Sequence, residues 1–166
     1  MNKRAFSLIE LVIVVAILGI IAALAIPKLQ GNTIAAKEAA AKDMLFTLRT
    51  QIELYKIDHG GIAPGYMGPI QAPATTLKNQ FVGTSKATGA AVSATIPTSN
   101  YPYGPYLGDM PKNPFNDKDN IKYVTNGTAF TTAADDSSGW LYTKETGKIA
   151  LNTKGEDETG TKYADY

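Results

Sequence analysis

One carboxylate, Glu10, stands inside the otherwise unbroken apolar segment FSLIELVIVVAILGIIAALAI, residues 6–26. A charged side chain at the centre of a bilayer costs about 2.5–3.5 kcal/mol even on the mildest insertion scale. A plain anchor has no use for such a group, so Glu10 calls for a partner of opposite charge. A second group of carboxylates lies beside Gly155 and Gly160: Glu156, Asp157, Glu158 and Asp165. Carboxylate oxygens suit calcium, but EF-hand spacing is absent, and a solvated acidic segment is the simpler reading. Other chemistry is sparse. The chain has no cysteine, hence no thiol chemistry and no disulfide, and a single histidine, His59, with no partner cluster for zinc or for a nucleophile–base pair. His59 stands at a helix stop, where capping is its ordinary role. Asn126-Gly127-Thr128 matches a glycosylation sequon, a pattern common by chance.

The elements that position these groups follow from patterning. Phe6 to Ile26 is 21 residues, about 31 Å of helix at ~1.5 Å per residue, enough to cross a ~30 Å hydrocarbon core. Lys3 and Arg4 precede it, so the positive-inside rule keeps the N-terminus cytoplasmic and sends the C-terminal bulk outward. A standard secretory signal would be cut after its apolar region, and Ala25 followed by Ile-Pro-Lys is a poor site. The 166 residues are 44% hydrophobic with a net charge of +1. The apolar segment inflates that percentage, and the remainder is rich in Thr, Ala, Gly and Lys. This suits one small domain plus a long helix, and no basic block marks a nucleic-acid footprint.

Beyond Pro27, which removes a backbone donor, and Gly31 and Asn32, which loosen the helix, a helical pattern resumes. Ile34, Ala41, Met44, Leu45, Leu48, Ile52 and Tyr55 recur at three- and four-residue steps, with charges between them. His59-Gly60-Gly61 stops the run. The spacing predicts one helix of about 53 residues from Ser7 to His59, roughly 80 Å long, apolar all round at first and amphipathic afterwards. From Ile62 to Tyr106 six prolines mark loops, with a short helical turn at Thr76–Phe81 and a Tyr/Pro-rich turn at 101–106 that packs its aromatics onto the sheet. The last third predicts antiparallel strands at Ile121–Thr125, more weakly at Ala129–Thr132, and at Trp140–Thr143 and Lys148–Asn152, the last two joined by the tight turn Lys144–Gly147. Residues 153–166 have no periodicity and read as a tail or as a loop held by something else.

Lys3-Arg4-Ala5, then Phe6-Ser-Leu-Ile-Glu10, some sixteen apolar residues and Pro27 resemble the leader and N-terminal segment of type IV pilins and type II secretion pseudopilins. The family's usual residue before the cut is glycine, and here it is Ala5, which is also small. Asp109-Met-Pro111-Lys-Asn-Pro114-Phe115-Asn116 resembles the proline loop of the major pseudopilins. Gly139-Trp140-Leu-Tyr142 with Thr146-Gly147-Lys-Ile149 looks like their C-terminal hairpin. The family's cysteine-bounded loop is absent, and residues 66–100 have no counterpart in it.

The resemblance implies a pilin-like α+β fold, with the long N-terminal helix packed on a small antiparallel sheet. It divides the chain into a leader at 1–5, a transmembrane and filament-core helix at 6–30, an amphipathic helix at 31–60 and a head at 61–166. It implies cleavage between Ala5 and Phe6, N-methylation of Phe6, and assembly through Glu10 and Pro27. The new amine and Glu10 lie four residues apart in an apolar setting, where neither charge tolerates burial alone. Glu10 then meets the amine of a neighbouring copy, with its own amine or a protonated carboxyl as the alternatives. Calcium is the implied ion at the acidic end, through Asp157, Glu158 and Asp165. The implied partners are further copies of the chain in a helical filament, a prepilin peptidase, an inner-membrane assembly platform and the membrane. Nucleic acid is a partner only of a DNA-uptake pilin. The expected location is the inner membrane before assembly and a periplasmic or surface filament after it. The expected function is a structural, non-enzymatic subunit of the secretion type. A surface pilin, and a membrane-tethered enzyme or binding module, are the alternatives.

Overall fold

The computed structural model describes the backbone of residues 8–166 and the side chains of residues 8–23 and 33–166. The expected leader and the Ala5–Phe6 cleavage pair lie outside these residues. One helix, α1, is described from Leu8 to Asp58 over 51 residues, and its C-terminal end falls within a residue of the predicted limit; the predicted start at Ser7 lies outside the described residues. Its backbone stays helical through Pro27, Gly31 and Asn32. The chain divides inside this helix: residues up to Lys37 form one unit and Glu38–Tyr166 form another. Residues 38–58 of α1 therefore belong with the head, while 31–37, where the amphipathic pattern begins, fall in the first unit.

After α1 come two short antiparallel pairs and a helix. β1 (Tyr66–Met67) and β2 (Ile70–Gln71) pair with Met67 opposite Ile70. Gly68, at φ +58°, takes the left-handed first position of their two-residue turn ahead of Pro69, a conformation that favours glycine. α2 spans Ala74–Val82, longer than the single turn predicted there. β3 (Thr84–Ser85) and β4 (Ala91–Val92) pair across a loop.

The last third carries the main sheet: β5 (Ile121–Tyr123), β6 (Trp140–Thr143) and β7 (Lys148–Leu151), in the order β5-β6-β7. The β6–β7 hairpin is antiparallel, Tyr142 opposite Ile149, as the turn chemistry predicted. β5 departs from expectation and runs parallel to β6, Ile121 opposite Trp140. A parallel pair needs a connection of a dozen or more residues to bring the chain back. Residues 124–139 supply it, and the weak strand expected at Ala129–Thr132 is instead part of the helical turn α3 (Phe130–Ala133).

The core lies between the amphipathic part of α1 and this sheet. Ala41, Leu45, Leu48 and Ile52, spaced to share one helix face, pack with Leu77, Phe81, Met110, Trp140, Tyr142, Ile149 and Leu151. β6 is the middle strand, and all four of its residues are buried. The proline loop is pinned to the strand ends. Trp140 Nε1 donates to Pro111 O at 2.8 Å, and Asn113 Nδ2 donates to Gly139 O and Thr153 Oγ1, both at 2.8 Å. The 101–106 turn packs against the end of α1 and along β3: Tyr106 donates its hydroxyl proton to Asp58 Oδ2 at 2.8 Å, and Tyr103 forms an antiparallel bridge with Ser85.

Candidate assembly site

Leucine, isoleucine, valine and alanine on every side of a helix leave no polar face for water. In residues 8–23 every side chain is exposed. Eleven are large and apolar: Leu8, Ile9, Leu11, Val12, Ile13, Val14, Val15, Ile17, Leu18, Ile20 and Ile21, from 46% exposed at Val14 to 80% at Leu8. Such a surface exceeds the largest apolar patch of an ordinary soluble monomer, about 300–600 Å². It requires lipid, or other helices, around its whole circumference. Glu10 lies among these apolar residues, in the first described turn of α1. Among the described residues no helix is long and apolar enough to cross a membrane. The fully described apolar stretch, 8–23, amounts to about 24 Å at ~1.5 Å per residue, short of a ~30 Å core.

In the head, Arg49 reaches across from α1 to two segments. Its Nη2 donates to Ile149 O at 3.3 Å and to Tyr166 O. A cavity of about 700 Å³ lies beside it, walled by Phe46, Thr50, Glu53, Phe130, Lys148 and Tyr166 among others. Phe46, 71% exposed, stands on the outer side of the helix next to fully buried Leu45. The second polar centre is Asn152, fully buried. Its Oδ1 accepts from Asp135 N and Asp136 N at 2.7 and 3.2 Å, and its Nδ2 donates to Asp135 Oδ1 and Ser138 Oγ at 2.9 and 2.8 Å. Asp135 also pairs with Lys122 at 2.7 Å. Lys122, with Ser137 and Asn152, holds its carboxyl far below the usual range. Sequence reasoning passed over Arg49, Asn113 and Asn152. Their role depends on contacts distant along the chain, which no local pattern announces.

The acidic end does not fit the implied calcium. Among the described residues no group of three or more acidic or histidine side chains is placed to hold a metal ion. Asp157, Glu158 and Asp165 are therefore not brought together as a ligand set. Asp157 is committed elsewhere: Oδ1 accepts from Thr159 N, Thr159 Oγ1 and Thr161 N at 2.9, 2.6 and 3.0 Å, and Oδ2 from the Tyr166 hydroxyl at 2.8 Å. Glu156 pairs with Lys162. Glu158 and Asp165 are exposed. The segment is held by hydrogen bonds of its own rather than left as a free tail.

A long N-terminal helix followed by small, mostly antiparallel sheets defines a pilin-like α+β protein. The chain matches the family model for the prokaryotic N-terminal methylation motif over residues 1–26. It is similar to the type II secretion system core protein G of Klebsiella pneumoniae, 30% identical over 114 residues, covering 69% of this chain and 70% of that one. The core protein G of Dickeya chrysanthemi is 28% identical over 117 residues, covering 69% of this chain and 64% of that one, so the match spans just under two thirds of that relative's length. A fimbrial protein of Neisseria meningitidis is 32% identical over 98 residues, covering 59% and 58%. No solved structure matches the chain. The chain belongs to the type IV pilin and type II secretion pseudopilin superfamily.

Proposed function

We propose that this chain is a structural subunit of a type IV pilus-like filament, of the type II secretion pseudopilin kind. The observation that carries the reading is the helix surface at residues 8–23: apolar on all sides and exposed in the single chain, with the carboxylate of Glu10 set among the apolar residues. Such a surface is satisfied first by lipid and then by the helices of other copies. Prepilin peptidase cleaves between Ala5 and Phe6, Phe6 is N-methylated, and the new amine of one copy meets Glu10 of the next. That pairing neutralises both charges and sets the axial register of the packed helices. Before assembly the helix anchors the chain in the inner membrane, N-terminus in the cytoplasm, where an assembly platform receives it. The core protein G relatives favour the secretion filament. The similarity to a fimbrial protein supports a surface pilus as the second reading.

Two measurements test this. The intact mass of the protein from its own host should lack Met1–Ala5 and carry one added methyl on Phe6. Chains beginning only at Met1, in cells with active prepilin peptidase, would refute the processing. Glu10→Ala should enter the membrane as well as the parent but yield few filaments, since a neighbour's ammonium loses its partner. Normal filament yield at equal expression would overturn the intersubunit pair.

A further inference from the structure

We infer that residues 155–166 form a metal-independent clasp, in which Asp157 gathers the loop through its own hydrogen bonds and the Lys162 ammonium supplies the positive charge that the resemblance assigns to calcium. The inference is independent of whether the chain assembles, because it concerns the head alone.

Calcium takes six to eight oxygen ligands, with carboxylates supplying most of the charge. Here the central carboxylate is engaged by four donors. Thr159 and Thr161 approach Asp157 Oδ1 with two backbone N–H groups and one hydroxyl, and the Tyr166 hydroxyl takes Oδ2. A divalent ion bound through Oδ1 would have to displace three of these donors, and Glu158 and Asp165 are exposed. The loop also closes on its own backbone. Asp157 N donates to Thr161 O at 2.9 Å, Gly160 N donates to Asp157 O at 3.0 Å, and Glu156 and Lys162 form an antiparallel bridge. The Lys162 ammonium pairs with Glu156 across that bridge, so the neighbouring carboxylates do not need an external cation to relieve their repulsion.

The clasp has a grip at its far side. Tyr163 packs on Phe115, ring centroids 4.3 Å apart, and its hydroxyl donates to Glu38 Oε1 at 3.2 Å. The Tyr166 ring lies edge-on to Tyr163 at 5.6 Å and under the Lys42 ammonium at 4.1 Å, while Arg49 holds the Tyr166 carbonyl. Asp157 thus joins the loop to a ring that is itself fixed on α1. The Thr159 hydroxyl, with the other donors, keeps its carboxyl down at about 2, as expected for an anion that accepts several hydrogen bonds. The sign follows: the contribution is complete above the ordinary aspartate value, 3.8, and is lost as pH falls through about 2.

The test uses the full chain in detergent micelles. Melting is followed in millimolar calcium chloride and in excess chelator, and terbium(III) is added as a luminescent calcium substitute. Tyr163 and Tyr166 stand close enough to the loop to sensitise it. The expected result is no tyrosine-sensitised terbium emission and melting temperatures that agree to about 1 °C with and without calcium, since a ligand bound only to the folded state would raise them. Lys162→Met should lower melting equally in calcium and in chelator, and make residues 155–166 more susceptible to protease. Asp157→Asn keeps an acceptor for Thr159 and Thr161 but turns a donor toward Tyr166 if its amide nitrogen replaces Oδ2, and should do the same. A calcium-dependent rise in melting that Asp157→Asn removes would overturn the inference in favour of a metal site. Unchanged melting and protease resistance in both variants would overturn it in favour of a loose tail.

Discussion

The His59 ring lies flat on the Tyr55 ring, centroids 3.7 Å apart and planes 2° from parallel. Its Nδ1 donates to the Tyr55 carbonyl at 2.8 Å, so the neutral ring presents Nε2 as an acceptor for the Ser85 hydroxyl at 3.1 Å. This one ring ties the end of α1 to β3, with Tyr103 and Tyr106 tilted against it. Burial lowers its pKa below 6.5, against the opposing pull of Asp58 and of backbone contacts at Tyr55 and Lys86.

A depressed histidine stabilises the fold above its unfolded value and loses that contribution as pH falls through the folded one. The head should therefore melt at a lower temperature at pH 5 than at pH 7. His59 is the only histidine, so His59→Gln should flatten this dependence. Melts at a series of pH values check it, and an unchanged slope in the variant would assign the effect elsewhere.

Leu45 and Phe46 are neighbours in sequence with opposite surroundings. Leu45→Ala opens a cavity between α1 and the sheet and should cost about 2–5 kcal/mol. Phe46→Ala removes a larger side chain that touches mostly water, and should change monomer stability by no more than ~0.5 kcal/mol. Denaturant melts of the dispersed chain check both.

Asn152→Ala should leave the Asp135 and Asp136 backbone donors without their acceptor, at about 0.5–1.5 kcal/mol for each hydrogen bond lost in this partly buried network. Asn152→Asp should be worse at neutral pH, since it sets a second anion against Asp135. Thermal melts of the two variants, with Lys122→Met as a comparison for the exposed side of the network, give the order.

In the single chain the helix backbone passes unbroken through Pro27, Gly31 and Asn32. Within a filament this stretch should lose regular helix, because the proline lacks one hydrogen bond and Gly and Asn add little to hold the backbone. A filament density map that shows unbroken helical bonding from Phe6 to Asp58 would contradict this.

How far the sequence spoke depends on how local each signal is. The C-terminal bound of α1 follows from the end of the apolar spacing and from Gly60-Gly61, and the β6–β7 hairpin from the turn chemistry at 144–147. These patterns are contained within the elements themselves. The direction of β5 is not: its three residues alternate the same way whichever way the partner runs. The pairs β1–β2 and β3–β4 are two residues long, too short for alternation to register. α3 was misread because its Thr pair carries a strand preference that a short helical turn overrides. At the proposed assembly site, Glu10 was conspicuous for being charged among apolar residues. At the acidic end, read from sequence as a solvated segment with calcium as the implied ion, the donors that satisfy Asp157 were not legible, because they are threonines and a tyrosine of no distinctive pattern.

The core arrangement also dictates an order of events in synthesis. Leu45, Leu48 and Ile52 find their cover on Trp140, Tyr142, Ile149 and Leu151, and Arg49 reaches Ile149 across 100 positions of sequence. Contacts this distant form late, and loop closure must precede them. A chain that emerges N-terminus first exposes the apolar face of residues 41–55 until nearly all of the remaining sequence has followed. The head thus has a vulnerable interval set by its topology, longer than its size alone would suggest, during which a holding factor or rapid release of the completed chain decides between folding and aggregation.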